Sequence, residues 1–174
     1  MSYRDLVNKL IDSNITISTM ESCTGGGVVN AITSIEGASE VISFSAVTYS
    51  NSAKRLMGVS SEVIDEFSVY SRECADEMSR NVAFIANSDF GVGVTGKLNR
   101  VDINNPYGED NIVFISVYDW ENKRYYNSEV KATLDSRSDN KNLVIERVVQ
   151  MVNSALELSD EFVLSDRGYE KIKK

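Results

Sequence analysis

The stretch Ile15-Thr16-Ile17-Ser18-Thr19-Met20-Glu21-Ser22-Cys23-Thr24-Gly25-Gly26-Gly27-Val28-Val29-Asn30-Ala31-Ile32 decides the fold. The β-branched run Ile15-Thr16-Ile17 reads as a strand, Gly25 to Gly27 as a tight corner, and Val28, Val29, Ala31 and Ile32 as the apolar positions of a helix. Strand, tight loop and helix form the unit from which α/β sheets are built. Such proteins bind ligands at the carboxyl edge of the sheet, which is where the Ser22 hydroxyl stands, and the unpaired amides of a helix start can hold an anion. A plainer alternative stays open: Ser22 or Thr24 caps the helix, as these residue types commonly do.

Working outward, Leu6, Val7 and Leu10 recur at helical spacing before Asn14, which marks a turn. Beyond the break at Gly37-Ala38-Ser39, Val41 to Thr48 reads as a largely buried strand leading into Tyr49-Ser50-Asn51. Residues 52–57 and 62–67 read as two short helices separated by Gly58, and a longer helix begins near Ser71 with the stripe Ala75, Met78, Val82 and Ile85. Phe90 to Val94 reads as a short strand, and the polar run Lys97 to Asp110, with Asn104, Asn105 and the single proline Pro106, as a loop. Ile112 to Tyr118 and Tyr125 to Val130 form a hairpin. From Asn142 the stripe Val144, Val148, Met151, Val152 and Ala155 marks a last helix. The fold class this predicts is α/β, a three-layer α/β/α sandwich around a mixed, largely buried sheet. One domain spans 1–158, and a charged tail, 159–174, ending in Lys171, Lys173 and Lys174, frays or packs peripherally.

The 174 residues, 42% hydrophobic and 25% charged, suit one globular domain that buries roughly two-thirds of its unfolded surface. Cys23 and Cys74, with no signal-like N-terminus, read as reduced thiols in a cytoplasmic protein. No apolar run reaches the roughly 18 residues a membrane span needs. With 18 basic against 26 acidic residues the net charge is −8, so phosphate polymers meet a repulsive field and nucleic acid is not an expected partner. The chain contains no histidine, which removes Ser-His-Asp and Cys-His catalysis and the commonest zinc ligands. No metal and no cofactor are expected.

Gly91-Val92-Gly93-Val94-Thr95-Gly96 fits G-x-G-x-x-G, and with Lys97 it nearly fits a P-loop. Phosphate loops open a helix, whereas Lys97 to Pro106 has no helical period, and Leu98 stands where a P-loop needs Ser or Thr. Gly91 and Gly93 are better read as places where a neighbouring backbone closes on a central strand.

A serine nucleophile without histidine needs lysine, tyrosinate or carboxylate as its base. Lys54, just past a strand and five positions after Tyr49, is the best placed candidate. To serve near neutrality a lysine must fall from about 10.4 to about 7, a change of about 4 kcal/mol that burial can supply. The alternative is a solvated helix lysine.

The run Thr19-Met20-Glu21-Ser22-Cys23-Thr24-Gly25-Gly26, then Ile35-Glu36-Gly37-Ala38-Ser39, then Val47-Thr48-Tyr49-Ser50-Asn51-Ser52-Ala53-Lys54 with Leu56-Met57-Gly58-Val59, resembles the CinA C-terminal domain family. Weaker similarity through Tyr70-Ser71, Val94-Thr95-Gly96 and Pro106-Tyr107-Gly108 extends the resemblance over roughly residues 3–157. It implies a metal-independent amidase that converts nicotinamide mononucleotide, or a related pyridine nucleotide, to the nicotinate form plus ammonia. By the same resemblance Ser22 is the nucleophile, Lys54 its base and Tyr49 a proton relay or orienting hydroxyl. Glu21, Thr24, Gly25, Gly26, Thr95 and Gly96 then meet the substrate, Arg137 pairs with its phosphate, and a homo-oligomer is expected. The resemblance also implies a stand-alone form without the larger N-terminal domain that often precedes this one.

After Gly96 the family runs on through Ile-Ala-Gly-Pro, whereas this chain has Lys97-Leu98-Asn99-Arg100-Val101. Side chains there either exclude the substrate or let Lys97 and Arg100 bind a different anion. The resulting alternative is a lapsed relative that binds a nucleotide or a protein partner without turnover. Cys23, beside the nucleophile, is expected to pack.

Overall fold

The computed structural model describes residues 2–172 apart from Val101 and Asn104, with side chains described as far as Ser159. The elements run α1 (Tyr3–Ser13), β1 (Ile17–Glu21), α2 (Gly27–Thr33), a 3-10 turn (Ala38–Glu40), β2 (Ser45–Val47), α3 (Asn51–Leu56), α4 (Ser61–Phe67), α5 (Arg72–Ala86), β3 (Phe90–Gly96), β4 (Ile112–Asp119), β5 (Arg124–Lys131) and α6 (Arg137–Ile172). The sheet order is β2-β1-β3-β4-β5; the first three strands are parallel and the last two antiparallel to their neighbours. One apolar cluster joins α1, α2 and α6 to one face of the sheet, and a second joins α4 and α5 to the other. The expected three-layer α/β/α fold with a mixed sheet is therefore present.

Several element boundaries differ from the sequence reading. The first strand begins at Ile17 rather than Ile15, because Thr16 is held outside the ladder by Asp89, whose Oδ2 accepts from its backbone N–H and its hydroxyl, both at 2.7 Å. The strand expected over Val41 to Thr48 shrinks to Ser45–Val47. Val41 instead closes the 3-10 turn, and its carbonyl accepts from Ile17 N. The last helix starts at Arg137, ahead of the expected start at Asn142, and its backbone continues to Ile172. The tail expected over 159–174 falls there, where side chains from Asp160 onward, and Lys173 and Lys174 altogether, lie outside the described residues. Among the described residues no helix is long and apolar enough to cross a membrane.

The glycines of β3 do what close packing demands. A Cβ on Gly91 would lie 2.0 Å from Ser79 O and one on Gly93 2.3 Å from Ala75 O, so the backbone of α5 rests directly on the strand. Val92 and Val94, pointing the opposite way, fill the core beneath α1, α2 and α6. The G-x-G-x-x-G match is thus a strand against a helix, with no helix opening after it.

Chain direction then creates a crevice. The β1–β2 connection runs through α2 on one face, and the β2–β3 connection through α5 on the other, so connections leave β1 and β3 towards opposite layers. Open α/β sheets bind ligands where the order reverses, outside the carboxyl ends of the strands. Here those ends carry Ser22 after β1, Thr48 and Tyr49 after β2, and Lys97 after β3.

Candidate active site

Ser22 leaves β1 with its N–H still bonded to Val94 O at 2.9 Å, so the ladder to β3 fixes the serine one residue beyond the strand. Lys54 reaches it from α3. Ser50 caps that helix by accepting from Ala53 N at 3.1 Å, a contact worth about 1 kcal/mol, which sets Lys54 one turn inside it. Its Nζ lies 3.1 Å from Ser22 Oγ and 2.8 Å from Thr48 O. The residue is 1% exposed, so the solvated-lysine alternative does not hold.

Burial pushes the Lys54 amine below its ordinary value, against the opposing pull of nearby Cys74, Cys23 and Asp102. The two thiols are themselves pushed up to about 12 by burial, and so are neutral at pH 7. Asp102 is then the anion that opposes the shift. Cys23 is 5% exposed and joins the main apolar cluster, in keeping with a packing role, although one side of it borders the cavity.

That cavity encloses about 520 Å³ in front of Ser22. Tyr49, Gly96 and Arg137 line it, as expected, together with Leu98, Arg100 and Asp102. Tyr49 is 63% exposed, however, and its hydroxyl accepts from Arg137 Nη2 at 3.1 Å at the rim. The structure therefore pairs Tyr49 with Arg137 and leaves Ser22 to Lys54. The other guanidinium nitrogen, Nη1, donates to Leu98 O at 2.7 Å.

Five expected substrate contacts, Glu21, Thr24, Gly25, Gly26 and Thr95, lie elsewhere. Glu21 is wholly buried, and its two carboxylate oxygens accept from Val28 N (3.0 Å) and Val29 N (2.9 Å). Gly26 occupies the N-cap of α2 and has no side chain to offer, so Glu21 supplies the cap from the strand, with the helix dipole favouring its charge. Thr95 turns toward the α5 layer and donates to Val69 O at 2.6 Å. The Thr24 hydroxyl is fully buried and has no partner among the described residues, while Gly25 and Gly26, at φ 62° and 89°, make the left-handed corner that lets α2 start. None of the side chains of Glu21, Thr24 and Thr95 borders the cavity.

The divergent loop is built inward. Leu98 is 2% exposed and joins the main core. The Lys97 ammonium donates to Gly108 O at 3.0 Å and to Asp110 Oδ1 at 3.1 Å, and lies 5.2 Å above the Tyr70 ring. Lys97 thus clamps the loop shut, and the anion role expected of it falls to Arg100 alone, which is exposed at the cavity edge. Val101 and Asn104 lie outside the described residues.

Sequence reasoning missed a polar chain beside the cavity. The Tyr70 hydroxyl donates to Asp102 Oδ2, which also accepts from Asn105 Nδ2 at 2.8 Å. Asn105 Oδ1 accepts from Asn51 Nδ2 at 2.7 Å. Loop residues carry no periodicity that would mark them; only Tyr70, beside the helix start at Ser71, gave a local signal.

A mixed-sheet α/β domain with a buried serine–lysine pair at the carboxyl edge is the class that this fold and site define. The CinA C-terminal domain family matches residues 2–156, and the chain belongs to that family. A CinA-like protein of Fervidobacterium nodosum is 44% identical over 88 residues, which is 50% of this chain and 21% of that protein. A Clostridium perfringens (strain SM101 / Type A) protein, assigned by name to competence-damage induction, is 42% identical over 98 residues, 55% of this chain and 24% of that one. The match thus spans about a quarter of the length of such relatives. The crystal structure of the competence/damage inducible protein CihA from Agrobacterium tumefaciens superposes with a TM-score of 0.78 at 27% identity, covering 87% of this chain and 92% of that one. A Klebsiella pneumoniae competence damage-inducible protein A shares the fold at TM-score 0.80 and 19% identity, over 90% and 98% of the two chains.

Proposed function

We propose that this domain is a metal-independent amidohydrolase that converts nicotinamide mononucleotide, or a related pyridine nucleotide, to the nicotinate form plus ammonia. The observation that carries the reading is the Lys54 amine, 1% exposed and 3.1 Å from Ser22 Oγ. A buried amine with a depressed pKa is a base, and a hydroxyl in hydrogen-bonding reach of it is a nucleophile.

In the proposed reaction the Ser22 oxygen attacks the carboxamide carbon as its proton passes to Lys54. The developing oxyanion needs backbone donors. Ser22 N is committed to Val94 O and Gly25 N to Ser22 O; the donor this reading uses is the amide of Cys23, the other residue of this corner that lines the cavity. Lys54 returns the proton to the departing nitrogen, giving ammonia and an ester on Ser22. A water then gives a proton to the same amine, attacks the ester, and frees the carboxylate and the serine. At the other end of the substrate Arg137, oriented by Tyr49, meets the phosphate, for which its planar fork is suited.

Incubation of the purified protein with nicotinamide mononucleotide, with ammonia as the readout, tests this: release well above a Ser22→Ala control is expected, and parity with that control refutes it. The buried Leu98 and the two bonds that already occupy Arg137 favour one second reading, a relative that binds a nucleotide without turnover. It predicts a ligand-dependent rise in melting temperature without ammonia, since a ligand that prefers the folded state stabilises it.

A further inference from the structure

The connection from β3 to β4 holds no helix or strand among its described residues, and at its length loops in compact domains commonly carry function. Lys97 at its head, with Leu98, Arg100, Asp102 and Asn105, borders the cavity in front of Ser22. What keeps this wall down changes along its length. Leu98 is 2% exposed and anchors the start, but Ile103 and Tyr107 further on are 92% and 77% exposed. Apolar burial therefore does not hold the second half of the loop.

An ammonium does. The Lys97 side chain, 1% exposed, reaches from the end of β3 to residues 106–110. Its Nζ donates to Gly108 O at 3.0 Å, to Asp110 Oδ1 at 3.1 Å and, more weakly, to Pro106 O at 3.5 Å, so each of its protons meets an oxygen. It also lies 5.2 Å above the ring of Tyr70, whose hydroxyl donates to the wall residue Asp102. Burying an ammonium is costly unless such partners are met, so the charge and the closed loop depend on each other. Carbonyl and carboxylate oxygens gathered with an aromatic face round one point are also the surroundings that a bound monovalent cation takes.

We infer that Lys97 is a positioning residue whose ammonium serves as a tethered cation: it holds the loop from 97 to 110 down as a wall of the cavity, and the wall is formed only while a positive charge occupies that point. The inference concerns the shape of the site and is independent of the chemistry at Ser22.

Lys97→Met keeps the length of the side chain and removes its charge, and Lys97→Ala removes a propylammonium fragment that can be supplied from solution. Hydrogen exchange reads the loop without a ligand. The amides of Asn99, Arg100 and Asn105, bonded to Asn111 Oδ1, Leu98 O and Asp102 O, should exchange at least about tenfold faster in both variants, while α5 and β4 keep wild-type rates. Iodoacetamide should label Cys23, at the cavity wall, about tenfold faster as well, with the fully buried Cys74 unchanged. Propylammonium should reverse both changes in Lys97→Ala, and propanol, of the same shape without the charge, should not. Wild-type loop rates in Lys97→Met, equal effects of propylammonium and propanol, or loss of protection in α5 and β4 together with the loop each overturns the inference. None of these readouts needs turnover, so they stand apart from the amidase reading. With nicotinamide mononucleotide as substrate, both variants should raise KM about tenfold with kcat within about threefold, because β1 and α3 hold Ser22 and Lys54; a fall in kcat at unchanged KM also overturns the inference.

Discussion

Replacing Lys54 by Met keeps the length of the side chain and removes its charge, and the consequence for stability is a slope against pH. Burial holds the folded amine below its ordinary value of 10.5, so the folded state sheds the proton before the unfolded state does. Between the folded value and 10.5 the unfolded chain binds more protons, and stability therefore rises with pH in that window. Below the folded value both states are protonated and the penalty for burying the ammonium is fully present. Wild-type stability should climb relative to Lys54→Met by up to about 1.4 kcal/mol per pH unit inside the window, or about 3–6 °C in Tm per pH unit for a domain of this size. The variant also leaves Thr48 O and Ser22 Oγ without their partner, at about 1–3 kcal/mol each, but that offset is the same at every pH and cannot mask the slope. Thermal melts of both proteins from pH 6 to 10.5 give the difference curve, and amidase activity should fall by about 10²–10⁴ in parallel. A difference curve that stays flat up to 10.5 would show that Lys54 titrates like a solvated lysine, and the proposed base would be lost with it.

Other substitutions separate roles that the site combines. Glu21→Gln puts an amide NH2 against the amides of α2 and should lower stability by about 1.5–3 kcal/mol in urea unfolding while leaving KM within about twofold; a KM effect without a stability loss would return Glu21 to the substrate. Tyr49→Phe removes the acceptor of Arg137 and should raise KM about three- to tenfold with kcat nearly unchanged, whereas a collapse of kcat would mark a proton relay. Gly93→Ala drives a methyl into Ala75 O and should destabilise by about 1–3 kcal/mol, read as a lower midpoint in denaturant; an unchanged midpoint would mean that α5 gives way freely.

The hairpin of β4 and β5, the short helices flanking Gly58 and the start of α5 behind Ser71 were all legible, because each is written in local periodicity and caps. The short β2 was not. Its apolar neighbours Val41 and Ile42 read as strand but belong to a turn and the residues that follow it, and three strand residues leave too little pattern to show the difference. At the site, Ser22 and Lys54 were legible from a strand end, a glycine corner and the absence of histidine. Glu21 was misplaced because neighbours along a strand face opposite sides: Glu21 points at the amides of α2, while Ser22, just after the strand, meets the cavity. Asp102, Asn105 and Asn51 were invisible because they meet across 54 positions of chain and obey no local rule.

Alternation, helical spacing and residue inventory are local quantities, so the amino-acid sequence alone determined the α/β class, the strand–corner–helix around Ser22, and the exclusion of imidazole chemistry. Whether Lys54 is bathed or buried, whether Tyr49 serves Ser22 or Arg137, and whether Lys97 offers its charge or clamps a loop were decided by tertiary structure. The reason is physical. A side chain's pKa and its partners follow from which distant segments displace water around it, and burial is a property of the assembled layers, not of any stretch of chain.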